Sequence, residues 1–309
     1  MNHDFSLLET ILFTPQEGFY LLDLHITRLL KSATDYRALA ADCFVSPPTP
    51  QQITDVLNAH LKDRSSYQRV RLLLNTASQL TVEATLLPEP TLSAENLHLA
   101  ALKVPLINVI LDTQPIPCIT DFFLRHKTTR RDLYNNARER LNCSFHVSND
   151  REPFDVVLWN QQHQVTETSI ANIAVGEPIN DTWNWKTPMT DCGLLGGVFR
   201  QYLLSTGEVK EAIITVDDLV HAQQKGHDHI MVTLRAQEQQ QQQQEFDATV
   251  DEQQPVDEIQ LYQDARYISA PKAIWRIYSF SLHHRSPAAM QLALHLPTAG
   301  KRSLTRMIP

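Results

Sequence analysis

The feature that most restricts this chain of 309 residues is a tract at 237–244 that is glutamine except for Glu238, followed by an acidic, glutamine-rich stretch to residue 257. Such low-complexity sequence cannot bury enough apolar surface to offset the entropy lost on ordering. A folded core must therefore come mainly from the residues before it. Beyond the tract, residues 262–297 regain aromatic and apolar character, but they amount to one supersecondary unit, short for an independent domain.

The rest of the chain reads as globular, with 42% hydrophobic residues and a length that suggests about two domains. A net charge of −8 offers no sequence-wide attraction to nucleic acid or anionic membrane, although residues 301–306 are locally basic. Anionic small substrates would be left to local arginines. The four cysteines, Cys43, Cys118, Cys143 and Cys192, form no CxxC pair and no histidine cluster accompanies them. Neither a disulfide framework nor a metal site is expected, and the cytosol is the default compartment. The first residues lack the basic region of a secretory signal. The longest apolar run, 97–111, is broken by Lys103 and Pro105 and is shorter than the roughly 20 residues of a membrane helix, so no span is expected.

Along the chain, apolar runs at 7–13 and 18–22 flank a turn with Pro15 and Gly18 and predict a β-hairpin. Residues 23–37 carry Leu24, Leu29, Leu30, Ala33 and Tyr36 at helical spacing, with Asp23 as the expected N-cap and Arg28 inside the helix. A second helix is expected over 51–62, a second hairpin from 68–74 and 79–86, and one or two strands within 97–111. Residues 115–120 read as a linker. After it come a helix at 134–141, a strand at 155–159, a strand and loop at 164–175, a glycine-bearing loop at 188–197, a helix at 198–204 and a strand at 208–216. The expected division is a small lobe at 1–114, a larger lobe at 121–224 that is truncated at its C-terminal side, and a linker with an appended fragment at 225–309.

Three stretches carry chemistry. In FFLRHKTTRRDLYNN (122–136), Lys127 stands where an apolar pair gives way to a basic, hydroxyl-rich run, a poor recipe for a plain amphipathic helix. In VTETSIANIAV (165–175), Glu167 is a strand-end carboxylate among small and apolar neighbours, with an asparagine five positions on; buried, it would need a cationic or hydrogen-bonding partner. Glycine is scarce, eight in all, yet Gly193, Gly196 and Gly197 fall within five positions, just before a helix whose opening N–H groups, those of Val198 and Phe199, suit an anion. Taken singly, each has a plainer reading: a solvated lysine, a turn-capping glutamate, an ordinary loop, and for Arg28 a charge on a helix face. Together they meet the demands of pyridoxal phosphate (PLP). That cofactor needs an amine to carry it, an acid for its pyridine nitrogen, donors for its phosphate and a partner for its phenolic oxygen. Arg130 and Arg131 would depress the Lys127 pKa, and Arg28 would add a forked contact to the phosphate.

The ordered motifs HITRL (25–29), HKTTRRDLY (126–134), VTETSIANIAV (165–175) and TPMTDCGLLGGVFR (187–200) resemble the class IV, fold type IV, PLP enzymes. Within them the likeness is greatest to 4-amino-4-deoxychorismate lyases, including the lyase-like domain fused to aminodeoxychorismate synthase, and it runs from about residue 5 to 219. It implies an α+β fold with a small α+β lobe, a larger barrel-like α/β lobe and a short C-terminal appendage. It also implies a homodimer acting on a small-molecule substrate. By that likeness Lys127 is the Schiff-base lysine and Glu167 the pyridine-nitrogen partner. Arg28 and the Val198 and Phe199 amides hold the phosphate, and Tyr134 is the candidate for the phenolic oxygen. The implied reaction converts 4-amino-4-deoxychorismate to 4-aminobenzoate and pyruvate, a step toward folate.

The alternatives are a class IV aminotransferase of branched-chain or D-amino acids and an inactive fusion. The last is motivated by the end of the chain, where the family's closing Asn-Ser-x-Arg-Gly-like turn is missing. Residues 225–297 instead resemble a stretch of Helitron-type transposon helicases outside their nucleotide-binding motifs, and no GxxxxGK[ST] occurs. His283, His284 and Arg285 read as a solvated turn rather than a metal or nucleic-acid patch.

Overall fold

The computed structural model describes residues 4–87, 106–144, 152–179, 182–225, 230–235 and 274–281. The first unit is a four-stranded sheet of order β2-β1-β3-β4, built from β1 (Ser6–Thr14), β2 (Gly18–Phe19), β3 (Gln68–Asn75) and β4 (Leu80–Leu86). All its pairs are antiparallel. Period-2 alternation in β1 turns Leu7, Ile11 and Phe13 onto a core shared with Leu29, Ala33 and Tyr36 of helix α1 (Leu22–Arg37) and with Ile53 and Leu57 of α2 (Pro50–His60). Helix α2 opens on a capping box between Thr49 and Gln52. Asp23 is not the cap of α1. Leu21 takes that position in a left-handed conformation, φ 52°, and Asp23 lies in the first turn, where a carboxylate suits the helix dipole.

The second unit is an eight-stranded mixed sheet of order β10-β9-β8-β11-β12-β5-β6-β7. Its strands are β5 (Leu106–Leu111), β6 (Asp155–Trp159), β7 (Val165–Thr168), β8 (Asn172–Ile179), β9 (Thr182–Pro188), β10 (Lys210–Ala212), β11 (Ile230–Arg235) and β12 (Ile274–Ser281). The sheet curls on itself: Val165 N–H donates to Ile214 at 2.7 Å and Val216 N–H to His163 at 2.9 Å, joining the chain after β10 to the start of β7. This is the barrel-like lobe expected from the family likeness. Among the described residues four helices accompany it: α3 (Phe122–Arg125), α4 (Asp132–Arg140), α5 (Val198–Ser205) and α6 (Val216–Lys225).

Three features depart from the sequence expectation. The strand expected at 208–216 is only the three residues of β10. Thr215 and Asp218 then exchange backbone and side-chain hydrogen bonds that start α6, a local cap that overrides the apolar run IIT. Strand β9 was not expected, although Trp183 and Trp185 alternate with Asn184 and Lys186 along it. The sheet also does not stop at residue 224, where the sequence suggests the large lobe ends. Strand β11 pairs with β8 and β12 pairs with β5, which places two segments of the expected appendage in the middle of the sheet. The histidine turn at 283–285 and the glutamine tract lie outside the described residues.

The two units meet at the lysine segment. Leu8 N–H donates to the Lys127 carbonyl at 2.9 Å and Thr129 N–H to Ser6 at 2.9 Å, so residues 127–129 lie along the edge of β1 that β3 leaves open.

Candidate active site

Lys127 follows the single turn of α3 and lines a cleft between the two units. All six residues singled out from the sequence line it: Arg28, Lys127, Tyr134, Glu167, Val198 and Phe199. They come from α1, the segment after α3, α4, β7 and the start of α5, so the convergence is tertiary.

Glu167 is 3% exposed. Its Oε1 accepts from the Tyr134 hydroxyl at 2.8 Å and from Leu195 N–H at 3.2 Å, and its Oε2 accepts from Asn172 Nδ2 at 3.0 Å. Burial pushes the carboxyl up to about 8, against the lowering effect of these donors and of the Arg131 and Arg200 charges. The turn that presents it is braced by Asp155, fully buried, which binds Ser169 and Arg138 beneath it. Asn172 also donates to the Leu195 carbonyl at 2.8 Å, tying β8 to the glycine loop.

The glycines answer to two needs. Gly193 has φ +94°, and a Cβ on Gly197 would come within 1.9 Å of the Asn172 Oδ1. The chain can therefore pass Asn172 and open α5, with Val198 and Phe199 in its first turn, onto the cleft. Arg200, from the same motif, is 2% exposed and turns away into Thr187 and Glu211, where it anchors the loop.

Arg28 is engaged differently from the sequence expectation. Its Nε donates to Glu9 Oε1 at 2.9 Å and its Nη2 to Glu9 Oε2, so the forked face is already matched to a carboxylate; Nη1 reaches the Gly196 carbonyl at 3.2 Å. A phosphate would meet only the remaining Nη hydrogens. Glu9, 1% exposed, also bonds His25 Nδ1 at 2.7 Å. Burial alone would raise it, but the Arg28 charge and the bonds from both partners hold it down at about 2. Sequence reading missed Glu9, although a signal was present: it is a charge in phase with the buried apolar face of β1.

Tyr134 also corrects an expectation. Its hydroxyl donates to Glu167, on the side of the expected ring nitrogen, and burial drives its pKa well above the usual 10. It is thereby committed to the carboxylate rather than to a phenolic oxygen. Arg131 stacks on its ring, 4.8 Å from the centroid, and Arg130 stacks on Phe123 at 4.5 Å; both line the cleft. His126 stacks on Phe122 and bonds Ser32, and burial lowers it to about 4. Among the described residues no cluster of side chains could hold a metal ion, and no helix is long and apolar enough to cross a membrane.

The two lobes with a lysine, a carboxylate and a helix N-terminus between them have the architecture of a fold type IV PLP enzyme. Residues 6–225 match the amino-transferase class IV family, and the chain belongs to that family of PLP-dependent enzymes. A Schizosaccharomyces pombe protein named provisionally as an aminodeoxychorismate lyase is 30% identical over 222 residues, covering 71% of this chain and 83% of its own length. A structure from Mesorhizobium loti, described provisionally as an amino-acid aminotransferase, is 30% identical with a TM-score of 0.53, covering 70% of this chain and 90% of that one. One from Legionella pneumophila, described provisionally as a 4-amino-4-deoxychorismate lyase, shares the fold at 15% identity and a TM-score of 0.52, over 94% of this chain and 89% of its own.

The residues present fit PLP. A buried carboxylate contacted only by neutral hydrogen-bond donors suits a pyridinium, the opening turn of α5 suits a phosphate, and Lys127 supplies the amine to the same cleft.

Proposed function

We propose that this chain is a PLP-dependent lyase that converts 4-amino-4-deoxychorismate to 4-aminobenzoate and pyruvate. The observation that carries the reading is the convergence of Lys127, Glu167, Arg28 and the α5 N-terminus on one cleft, from segments far apart in the chain. The likeness to proteins named as lyases supports the substrate.

In this reading Lys127 holds the cofactor, Glu167 faces its ring nitrogen, and the Val198 and Phe199 amides with the outer edge of Arg28 hold its phosphate. Bound there, PLP supplies an electron sink for charge that develops beside the substrate nitrogen. Lys127 would serve as the base that removes the substrate's ring proton alpha to its amine nitrogen. A pyridinium beside it would draw the Glu167 carboxyl down from about 8 and hold it anionic. Lys127 then returns the proton to the departing pyruvate, and aromatisation makes the step irreversible in practice. Arg130 and Arg131 at the cleft give the carboxylates of the substrate a positive wall. By the same family likeness the chain would act as a homodimer in the cytosol.

The second reading is an amino-acid aminotransferase, favoured by the 30% identity to the Mesorhizobium loti protein. Pyruvate release from aminodeoxychorismate without a keto-acid acceptor supports the lyase; turnover only with an acceptor overturns it. Borohydride reduction of the PLP-loaded chain should label the peptide carrying Lys127, and Lys127→Ala should abolish both label and activity. A chain that takes up no label would support the inactive fusion, against which the continuity of β11 and β12 with the sheet already speaks.

A further inference from the structure

Glu167 has three hydrogen-bond donors among the described residues, all neutral: Leu195 N–H from the glycine loop, Asn172 Nδ2 from β8 and the Tyr134 hydroxyl from α4. The phenol has one proton and two acceptors in reach, Glu167 at 2.8 Å and the Leu124 carbonyl at 3.3 Å. The shorter contact, to the Glu167 carboxyl oxygen, takes it. Arg131 lies over the same ring with its Nη2 on the Ser169 carbonyl, so a fixed positive charge polarises the phenol from behind without bonding the carboxylate. The other cation acting on Glu167, Arg200, is occupied by Thr187, Pro188 and Glu211. Tyr134 follows Lys127 by seven positions in the same short segment.

We propose that Tyr134 is a positioning residue that keeps the buried Glu167 carboxylate anionic and aimed into the cleft, and so governs whether the cofactor ring nitrogen stays protonated. This rests on the reading of Glu167 as the ring partner. One segment, 127–134, then sets both ends of the cofactor: Lys127 fixes the amine, and Tyr134 fixes the carboxylate opposite it. Neutral donors alone make this possible, because a salt bridge to Glu167 would saturate it and remove its pull on a pyridinium.

The test begins with the cofactor-free protein, in which the Glu167 carboxyl is titrated by NMR on chain labelled with carbon-13 at the glutamate side-chain carboxyl, the signal being assigned with Glu167→Gln. Tyr134→Phe, which removes one hydroxyl and keeps the ring, should raise the Glu167 pKa by about one unit, a tenfold change in its ionisation constant. Replacement of Tyr134 by 3-fluorotyrosine, a more acidic phenol, should move it the opposite way, and it answers the question even if Tyr134→Phe folds poorly. With nitrogen-15-labelled PLP bound, the ring-nitrogen shift should report loss of its proton at lower pH in Tyr134→Phe than in the parent protein. A Glu167 titration unmoved by both replacements overturns the proposal, as does a moved titration with an unchanged ring-nitrogen signal. A protein that shows these shifts but releases no pyruvate breaks the lyase reading and leaves this one standing.

Discussion

Glu9 and Glu167 are buried alike, at 1% and 3% exposure, yet one is held down at about 2 and the other pushed up to about 8. Desolvation raises both. The difference is in the partners: Glu9 has the full fork of Arg28 and the His25 ring, whereas Glu167 has only a phenol, an amide side chain and a backbone N–H. A carboxylate with its cation in place is a structural tie. One left with neutral donors at the wall of a cleft is unfinished, and the missing cation identifies the ligand as one that brings positive charge.

The largest effect should come from breaking the finished site. Glu9→Ala leaves the Arg28 guanidinium, 11% exposed, without its counter-charge, and should destabilise the protein by about 3–5 kcal/mol in chemical denaturation. The pH dependence of the two sites should then differ in sign. The folded-state pKa of Glu167 is raised, so the folded chain binds more protons than the unfolded one between about 4.5 and 8 and loses stability as pH rises through that window. Relative to Glu167→Gln, the cofactor-free protein should lose a few kcal/mol between pH 5 and 8. Glu9 is depressed, so its contribution is present above about 4.5 and is lost as pH falls toward 2, which a Glu9→Gln comparison in acid would read.

A smaller effect is expected from Gly197→Ala. The added Cβ collides with Asn172 Oδ1, which must withdraw its Nδ2 from Glu167 or push the loop aside. About 1–3 kcal/mol of stability should be lost, and PLP affinity, measured by spectral titration, should fall with it; unchanged affinity would mean that Asn172 is dispensable to the site. At the bottom of the scale is an ion pair that belongs to neither site. Lys31 and Asp35, one turn apart on α1 with Lys31 68% exposed, should contribute within about 0.5 kcal/mol, so Lys31→Ala should barely move a melting curve.

Much of this is legible in the sequence. The hairpin around Gly18, α1, the β3–β4 hairpin and the loop into α5 follow from alternation, helical spacing and Gly or Pro punctuation, which are local interactions. Lys127, Glu167 and the glycine cluster could be picked out because each breaks the pattern of its own segment. Glu9 breaks its segment's pattern too, but a single acid in an apolar strand gives no hint of which distant arginine will meet it.

The chain by itself determined which chemistry-bearing residues exist, their order and the elements they ride on, because side-chain spacing and backbone preference act over a few residues. Only the tertiary structure decided that Tyr134 serves Glu167, that the fork of Arg28 is taken by Glu9, and that β11 and β12 insert between β8 and β5. Those outcomes rest on pairings between residues far apart in sequence. The partner a buried donor finds is chosen by the whole fold, among many that the local pattern allows equally.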